Sequence, residues 1–253
     1  MRWFLKGLFG SRRFRFARTG AVGRASWVAL LMLALIESGG QTEAQAARGG
    51  GVVWGRLITP RSDWAIHDDQ DPKLARFIRS QTSLNLDPVW YSVEAGKLDQ
   101  LCAYPFLYVK DLSDIADQQE IKNLKEYLKR GGFICIDPCV AHFTPRSTQA
   151  YFERNTELFT QMFPGCEVRE LPDDHALYHC YFNVTVNDIT TADMLRLGAP
   201  MRPNIGIHGV FVEGRMIAAI CEDGLECGWP QTPLRIPGCS KMIVNIYVYA
   251  MTQ

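Results

Sequence analysis

The sequence lacks the short motifs that mark many catalytic and cofactor sites. It contains no C-x-x-C, no H-E-x-x-H, no G-x-x-x-x-G-K-S/T and no G-x-G-x-x-G. These absences exclude the recognisable zinc-ribbon, thioredoxin-type, zincin and nucleotide-binding signatures. An excess charge of either sign is also missing, because 27 Lys+Arg balance 27 Asp+Glu in 253 residues. The composition therefore gives no electrostatic reason to expect nucleic acid as a partner.

The sequence also lacks an apolar run long enough for a comfortable transmembrane helix, which needs about 20 residues. Its longest uncharged apolar run near the start is Ala25–Ile36, preceded in residues 1–24 by seven basic residues and no acid, and followed by Ala44-Gln45-Ala46. This pattern predicts a secretory signal peptide over residues 1–46. We expect residues 47–253 to be periplasmic or secreted, with no membrane contact in the mature form. An uncleaved inner-membrane anchor is the alternative.

After residue 51, strand-like and helix-like segments alternate. Phe133–Asp137 is a continuous apolar run ending in an acid, which is typical of a central strand covered on both faces. Asp117 and Asp71 are predicted N-caps of helices, and Glu213-Gly214 between two apolar runs indicates a hairpin. The alternation predicts a single α/β domain over residues 47–253, with a mostly parallel sheet, helices on both faces and an antiparallel hairpin at one edge.

Several segments resemble a bacterial family, domain of unknown function 4159. They are Tyr104–Tyr108 (YPFLY), Leu128–Asp137 (LKRGGFICID), Leu171–His179 (LPDDHALYH), Cys221–Trp229 (CEDGLECGW) and Val244–Ala250 (VNIYVYA). The resemblance implies a fold similar to the class I glutamine amidotransferase domain, a flavodoxin-like three-layer sandwich, and no established reaction. Where many relatives have Asp-Asp-Cys after the central strand, this chain has Asp137-Pro138-Cys139.

The catalytic candidates are Asp137, Cys139 and His142, because ligands bind outside the carboxyl ends of the strands in open α/β sheets. Cys139 just after a strand is similar to a nucleophile that uses a histidine base. The two glycines of a G-x-C-x-G turn are absent, so a structural cysteine is the favoured interpretation. The nearby stretch His67-Asp68-Asp69 is expected at the same edge, and a solvated polar loop is its favoured interpretation.

His175 and His179 are the next candidates for ligand binding. A helical turn would place them on one face, where they could bind a metal. The interpretation favoured here is a loop ordered by its histidines, so no metal and no cofactor is predicted.

Asp223 and Trp229 complete the predicted binding residues. Asp137 and Asp223 each follow an apolar strand, and we expect them within about 12 Å of each other. Together with His142 they are predicted to line one polar binding pocket, with Cys139 on its wall. This requires the strand that ends at Cys221 to run parallel to Phe133–Asp137. A disulfide between Cys227 and Cys239 is also predicted, because both flank an irregular stretch of an exported chain.

Three classes of function therefore compete. The favoured class is a non-catalytic domain of the cell envelope that binds a small-molecule ligand or an envelope protein partner. The first alternative is a hydrolase or amidase-like enzyme that uses Cys139 or the His175/His179 cluster. The second is a structural subunit of an envelope complex, which would have an exposed apolar patch and a shallow cleft.

Overall fold

A computed structural model describes residues 52–60, 64–139, 145–189, 206–229 and 236–253. The predicted signal peptide, residues 1–46, lies outside the described residues. Residues 50–253 form one compact unit. No helix within the described ranges is both long enough and apolar enough to cross a membrane.

The described chain contains a seven-stranded sheet. Its strands are β1 (Val52–Ile58), β2 (Leu86–Glu94), β3 (Phe106–Val109), β4 (Phe133–Ile136), β5 (Glu167–Glu170), β6 (Ile207–Val212) and β7 (Arg215–Cys221). Their spatial order is β2-β1-β3-β4-β7-β6-β5. Strand β1 is parallel to β2 and β3, and β4 is parallel to β3 and β7, whereas β6 is antiparallel to both β7 and β5. The predicted mostly parallel sheet with antiparallel strands at one edge is confirmed.

Six α-helices connect or flank these strands in the described ranges. They are α1 (Asp71–Gln81), α2 (Leu98–Cys102), α3 (Gln118–Lys129), α4 (Pro145–Met162), α5 (Ala176–His179) and α6 (Pro237–Met251). The Asp117 carboxylate accepts hydrogen bonds from the backbone N–H groups of Gln119 and Glu120, so it caps α3 as predicted. The prediction for Asp71 is wrong: Gln70 is the N-cap of α1, and Asp71 lies within the helix. Its carboxylate binds Arg56 instead.

Helices cover both faces of the sheet because the strand side chains alternate between two cores. In β4, Phe133 and Cys135 lie in one core with apolar residues of α1 and α6. Ile134 and Ile136 lie in the other core with apolar residues of α3 and α4. Burying a large apolar side chain fully contributes about 1.5–3 kcal/mol, so the two cores together fix the sheet in the middle layer.

The hairpin between β6 and β7 turns at Glu213 and Gly214, as predicted. Their φ values are 52° and 81°. Positive φ at both central residues is the requirement of a type I′ turn, whose twist matches that of the flanking strands. The turn thereby sets the register of β6 against β7 and the path of β7 beside β4.

Candidate functional site

The carboxyl ends of β3, β4 and β7 meet at one edge of the sheet, which we call the carboxyl edge. Strand β7 runs parallel to β4, with Ile136 opposite Ile220. Asp137 and Asp223, which follow these two strands, therefore leave the sheet at the same edge. Both carboxylates lie near the buried thiol of Cys239, since burial raises the pKa of that thiol and negative charge on each carboxylate raises it further.

Asp137 is fully buried and accepts three hydrogen bonds. Its Oδ1 accepts from the backbone N–H of Leu225 at 2.6 Å, and its Oδ2 accepts from the backbone N–H of Glu226 at 2.9 Å and from the Tyr108 hydroxyl at 2.6 Å. Burial raises the pKa of Asp137 to about 6, against the opposing effects of Lys110 and these hydrogen bonds. The side chain therefore joins β4 to the short 3₁₀ helix 225–228 that follows β7.

A network of buried charges surrounds Asp137, and sequence reasoning missed most of it. Arg56 of β1 binds the Asp71 carboxylate with two nitrogens, Nη2 lying 2.7 Å from Oδ1. The same Nη2 lies 2.5 Å from Glu226 Oε1. Lys110 Nζ pairs with the other oxygen of Glu226 and lies 3.3 Å from the Tyr108 hydroxyl. Each charged side chain of these ion pairs is at most 4% exposed.

Two sequence signals point to this network. Arg56 is a charged residue inside an otherwise apolar strand segment, and Lys110 follows directly after the apolar strand β3. A charged residue in such a place is rarely buried unless it is paired. The partners themselves, Asp71 and Glu226, are distant in sequence and are brought to Arg56 by the fold.

Lys110 is a second buried cation of the carboxyl edge, and its pKa is shifted far from the usual value. Burial and, to a smaller extent, the neighbouring Arg56 guanidinium lower the pKa of Lys110 to about 8. Negative charge on Asp137, Cys227 or Cys139 has the opposite effect. Lys110 and Asp137 are thus a base and an acid whose pKa values both lie closer to neutrality than usual.

Cys139 contacts a histidine at the opening of the carboxyl edge. Its Sγ lies 3.8 Å from His67 Nε2. Cys139 is half-buried and His67 is exposed. The favoured interpretation of residues 67–69 as a merely solvated loop is incomplete, since it missed this contact. The one available signal was the position of His67 after a strand that ends at this edge.

The other residues predicted at this edge make contacts outside the charge network or lie beyond the described residues. Asp223 and Glu222 are buried, and Glu222 Oε1 lies 2.9 Å from His208 Nδ1. Trp229 is fully buried, with its ring 5.6 Å from that of Tyr108. Its side chain belongs to the core beneath the network. His142 lies outside the described residues.

His175 and His179 do not join the charge network. His175 Nδ1 accepts a hydrogen bond from the Leu177 N–H and caps α5. The two ring nitrogens of His179 contact Asn183 Oδ1 at 2.5 Å and the Asp173 carbonyl at 2.6 Å. These contacts order the segment around α5. Across the described residues, no group of three or more His, Cys, Asp or Glu could bind a metal ion.

The predicted disulfide between Cys227 and Cys239 is wrong, because both cysteines are free thiols in the structure. Cys239 lies in the first turn of α6 and is buried. Its thiol faces the Ile189 carbonyl at 3.6 Å and packs so closely on Gly228 that a Cβ at that glycine would lie 2.5 Å from Sγ. The helix thus directs this thiol into the core.

A family model described as a domain of unknown function (DUF4159) matches residues 54–251. The chain belongs to this family. No curated protein matches it. The match to the DUF4159 model includes all the residues of the charge network as well as Cys139 and His67, so the carboxyl edge lies within the family domain.

Proposed function

We propose that this DUF4159 protein is exported to the cell envelope and binds a small-molecule ligand at the carboxyl edge of its sheet. The observation that carries this proposal is the buried network of Arg56, Asp71, Lys110, Asp137 and Glu226. Arg56 lies in β1, whereas Lys110 and Asp137 follow β3 and β4. Asp71 lies in α1 and Glu226 in the 3₁₀ helix 225–228, and the five side chains meet at a single edge.

The energetics of such a network support a functional role. Removing two opposite charges from water costs several kcal/mol per ion, and the attraction between them often does no more than balance that cost. A well-packed apolar cluster would stabilise the edge as well. Clusters whose burial perturbs pKa values in this way concentrate at ligand and active sites, and the carboxyl end of a parallel sheet is the usual place for such sites.

Native mass spectrometry of the protein as it is purified from the cells that make it tests the binding proposal. We expect a non-covalent small-molecule adduct on the wild type. The Lys110→Met variant should lose it, because the buried ammonium is removed. The Lys129→Met variant is the matched control, since Lys129 is exposed and lies at the end of α3, away from the carboxyl edge. Asp223→Asn, which preserves side-chain size, is a second variant at the edge in case Lys110→Met does not fold.

Three results would contradict ligand binding at this edge. They are a bare wild-type protein, an adduct that persists in both edge variants, and a protein mass bound in place of a small molecule. The last result would favour the alternative of an envelope protein partner.

Export is tested separately by fractionating the cells and sequencing the N-terminus of the purified protein. The pattern of basic residues, apolar run and Ala44-Gln45-Ala46 leads us to expect a mature chain beginning at Ala47 in the periplasm or the medium. A full-length N-terminus in the membrane fraction would instead support an uncleaved anchor. Recovery of the chain in the cytoplasm would contradict both interpretations.

The relationship to the class I glutamine amidotransferase fold stays a prediction.

A further inference from the structure

We propose that Cys139 is a nucleophile for acyl compounds with a good leaving group, such as thioesters and activated esters, and that His67 accepts its proton. This inference rests on the proposed function, because it names the chemical class of the ligand bound at the same edge.

The contact between the two side chains is the primary observation. The 3.8 Å distance from Cys139 Sγ to His67 Nε2 is within reach of a thiol–imidazole hydrogen bond. A nucleophile beside a base of this kind is the arrangement by which weakly acidic thiols are activated. The half-buried thiol and the exposed ring also leave the pair open to a ligand from solvent.

Cys139 is held in place by the residues just before it. The backbone N–H of Asp137 donates to the Val109 carbonyl at 2.9 Å, which extends the pairing of β4 with β3. The Asp137 side chain is fixed by three hydrogen bonds, and Pro138 is buried. The backbone that carries the Cys139 thiol is therefore fixed at the end of β4.

His67 is held by the loop that follows β1. Its carbonyl accepts a hydrogen bond from the Gln70 N–H at 2.9 Å. Arg56 Nη1 reaches the carbonyl of Trp64 at 3.5 Å, so the buried network anchors the same loop. His67 adopts φ 61°, a left-handed conformation that is uncommon for a residue other than glycine. Strained backbone of this kind clusters at ligand and active sites.

Lys110 provides a favourable field for the thiolate. Negative charge on Cys139 raises the pKa of Lys110, and by reciprocity the Lys110 ammonium stabilises negative charge on Cys139. Other thiols of the chain have different surroundings. Cys180 and Cys239 face backbone carbonyls, and burial raises the pKa of each.

The reaction has two balanced steps. In the first, Cys139 gives its proton to His67 Nε2 while Sγ bonds to the carbonyl carbon of the ligand. Collapse of the resulting tetrahedral adduct breaks the bond to the leaving group, which takes the proton from His67 and leaves an S-acyl thioester on Cys139. In the second step, His67 deprotonates a water molecule that attacks this thioester. The carboxylic acid departs and the Cys139 sulfur recovers the proton.

The test uses the full chain and p-nitrophenyl acetate, with release of nitrophenolate and peptide mapping of the acetylated cysteines as readouts. We expect Cys139 to be acetylated at least about tenfold faster than Cys102, an exposed free thiol in the same molecule. Cys139→Ser should abolish the fast phase. Cys102→Ser is the matched control and should leave it unchanged.

His67→Gly tests the base without straining the backbone, because glycine readily adopts φ 61°. Loss of a positioned base typically slows proton transfer 10²–10⁴-fold, so we expect acetylation of Cys139 to slow about 100-fold. Added imidazole should restore part of the rate, which a purely structural role for His67 would not allow.

Acetylation of Cys139 no faster than that of Cys102 would overturn the inference, as would a His67→Gly variant as fast as the wild type. A slowed variant that imidazole does not rescue would also count against His67 as the base. Ligand binding is judged independently by native mass spectrometry of Cys139→Ser. A retained adduct alongside an unreactive wild-type thiol would refute only the nucleophile.

Discussion

The two edges of the sheet handle charge in opposite ways. At the carboxyl edge, the buried cations Arg56 and Lys110 each pair with the buried Glu226 carboxylate. At the opposite edge, where β4 and β7 begin, Glu126 pairs with Arg130 at 2.8 Å in the exposed last turn of α3. Exposed pairs contribute little because water and salt screen them. Breaking a buried pair leaves an unpaired charge without water.

We call the opposite edge of the sheet, where β4 and β7 begin, the amino edge. A cavity of about 420 Å³ lies at the amino edge, lined by Lys125, Leu128, Lys129, Phe163, Val212, Glu213, Arg215 and Ile217. The carboxyl edge has the buried charge network and the half-buried thiol of Cys139. The perturbed acid and base of this protein therefore lie at the edge where the strands end, and not among the residues that line this cavity.

The largest expected effect is at the centre of the buried network. Glu226→Ala removes the shared partner of Arg56 and Lys110, and we expect it to lower the free energy of unfolding by about 3–5 kcal/mol. Urea unfolding followed by circular dichroism measures this. The control is Glu126→Ala at the amino edge, which should leave the transition midpoint in place. Equal effects of the two substitutions would break the contrast between the edges.

The amino edge has one sterically demanding position, Gly132, between α3 and β4. A Cβ there would lie 2.3 Å from the ring of Tyr127, whose hydroxyl donates to the Phe133 carbonyl. We expect Gly132→Ala to lower the free energy of unfolding by about 1–3 kcal/mol through overpacking. Tyr127→Leu in the same background should relieve part of this loss. An unfolding free energy unchanged by Gly132→Ala would show that the ring moves freely.

The next prediction concerns an exposed helix cap, that of α3, which lies toward the carboxyl edge of the sheet. Asp117 caps α3, which begins after β3, through two backbone N–H groups at 2.9 and 3.0 Å. Asp117→Ala should lower the free energy of unfolding by about 1 kcal/mol, and Asp117→Ser should restore most of it. If Asp117→Ala lowered the free energy of unfolding as much as Glu226→Ala, the loss of stability would depend on location at this edge and not on burial.

The last prediction is a difference in pH dependence. Because burial raises the pKa of Asp137 to about 6, the folded state keeps a proton on this carboxyl between about pH 4 and 6, where the unfolded chain has lost it. The contribution of Asp137 to stability is therefore greatest at low pH and falls as pH rises through this window. The free energy of unfolding is measured from pH 4 to 8 for the wild type and for Asp137→Asn. As pH rises, the wild-type value should fall relative to that of the variant. Parallel curves would contradict the buried, protonated carboxyl.

The sequence predicted much of the fold because its signals are local. The cap at Asp117, the continuous apolar run of β4 and the turn at Glu213-Gly214 each act within a few residues, and the structure has the expected element at each. The prediction failed at Asp71 for the same reason: a local rule assigned it to a helix cap, whereas its carboxylate binds Arg56, fifteen residues away in sequence. The predicted disulfide failed because α6 starts early enough to turn Cys239 into the core.

The sequence by itself determined that this is an α/β domain of the DUF4159 family, with Asp137 and Asp223 leaving the sheet at strand ends. Only the tertiary structure decided which side chains meet there. His67 and Cys139 are 72 residues apart, and Arg56 and Glu226 are 170 residues apart. Periodicity and capping encode the elements through contacts between near neighbours. Contacts between strand ends depend on the order of the strands, which is fixed by packing both faces of the whole sheet at once.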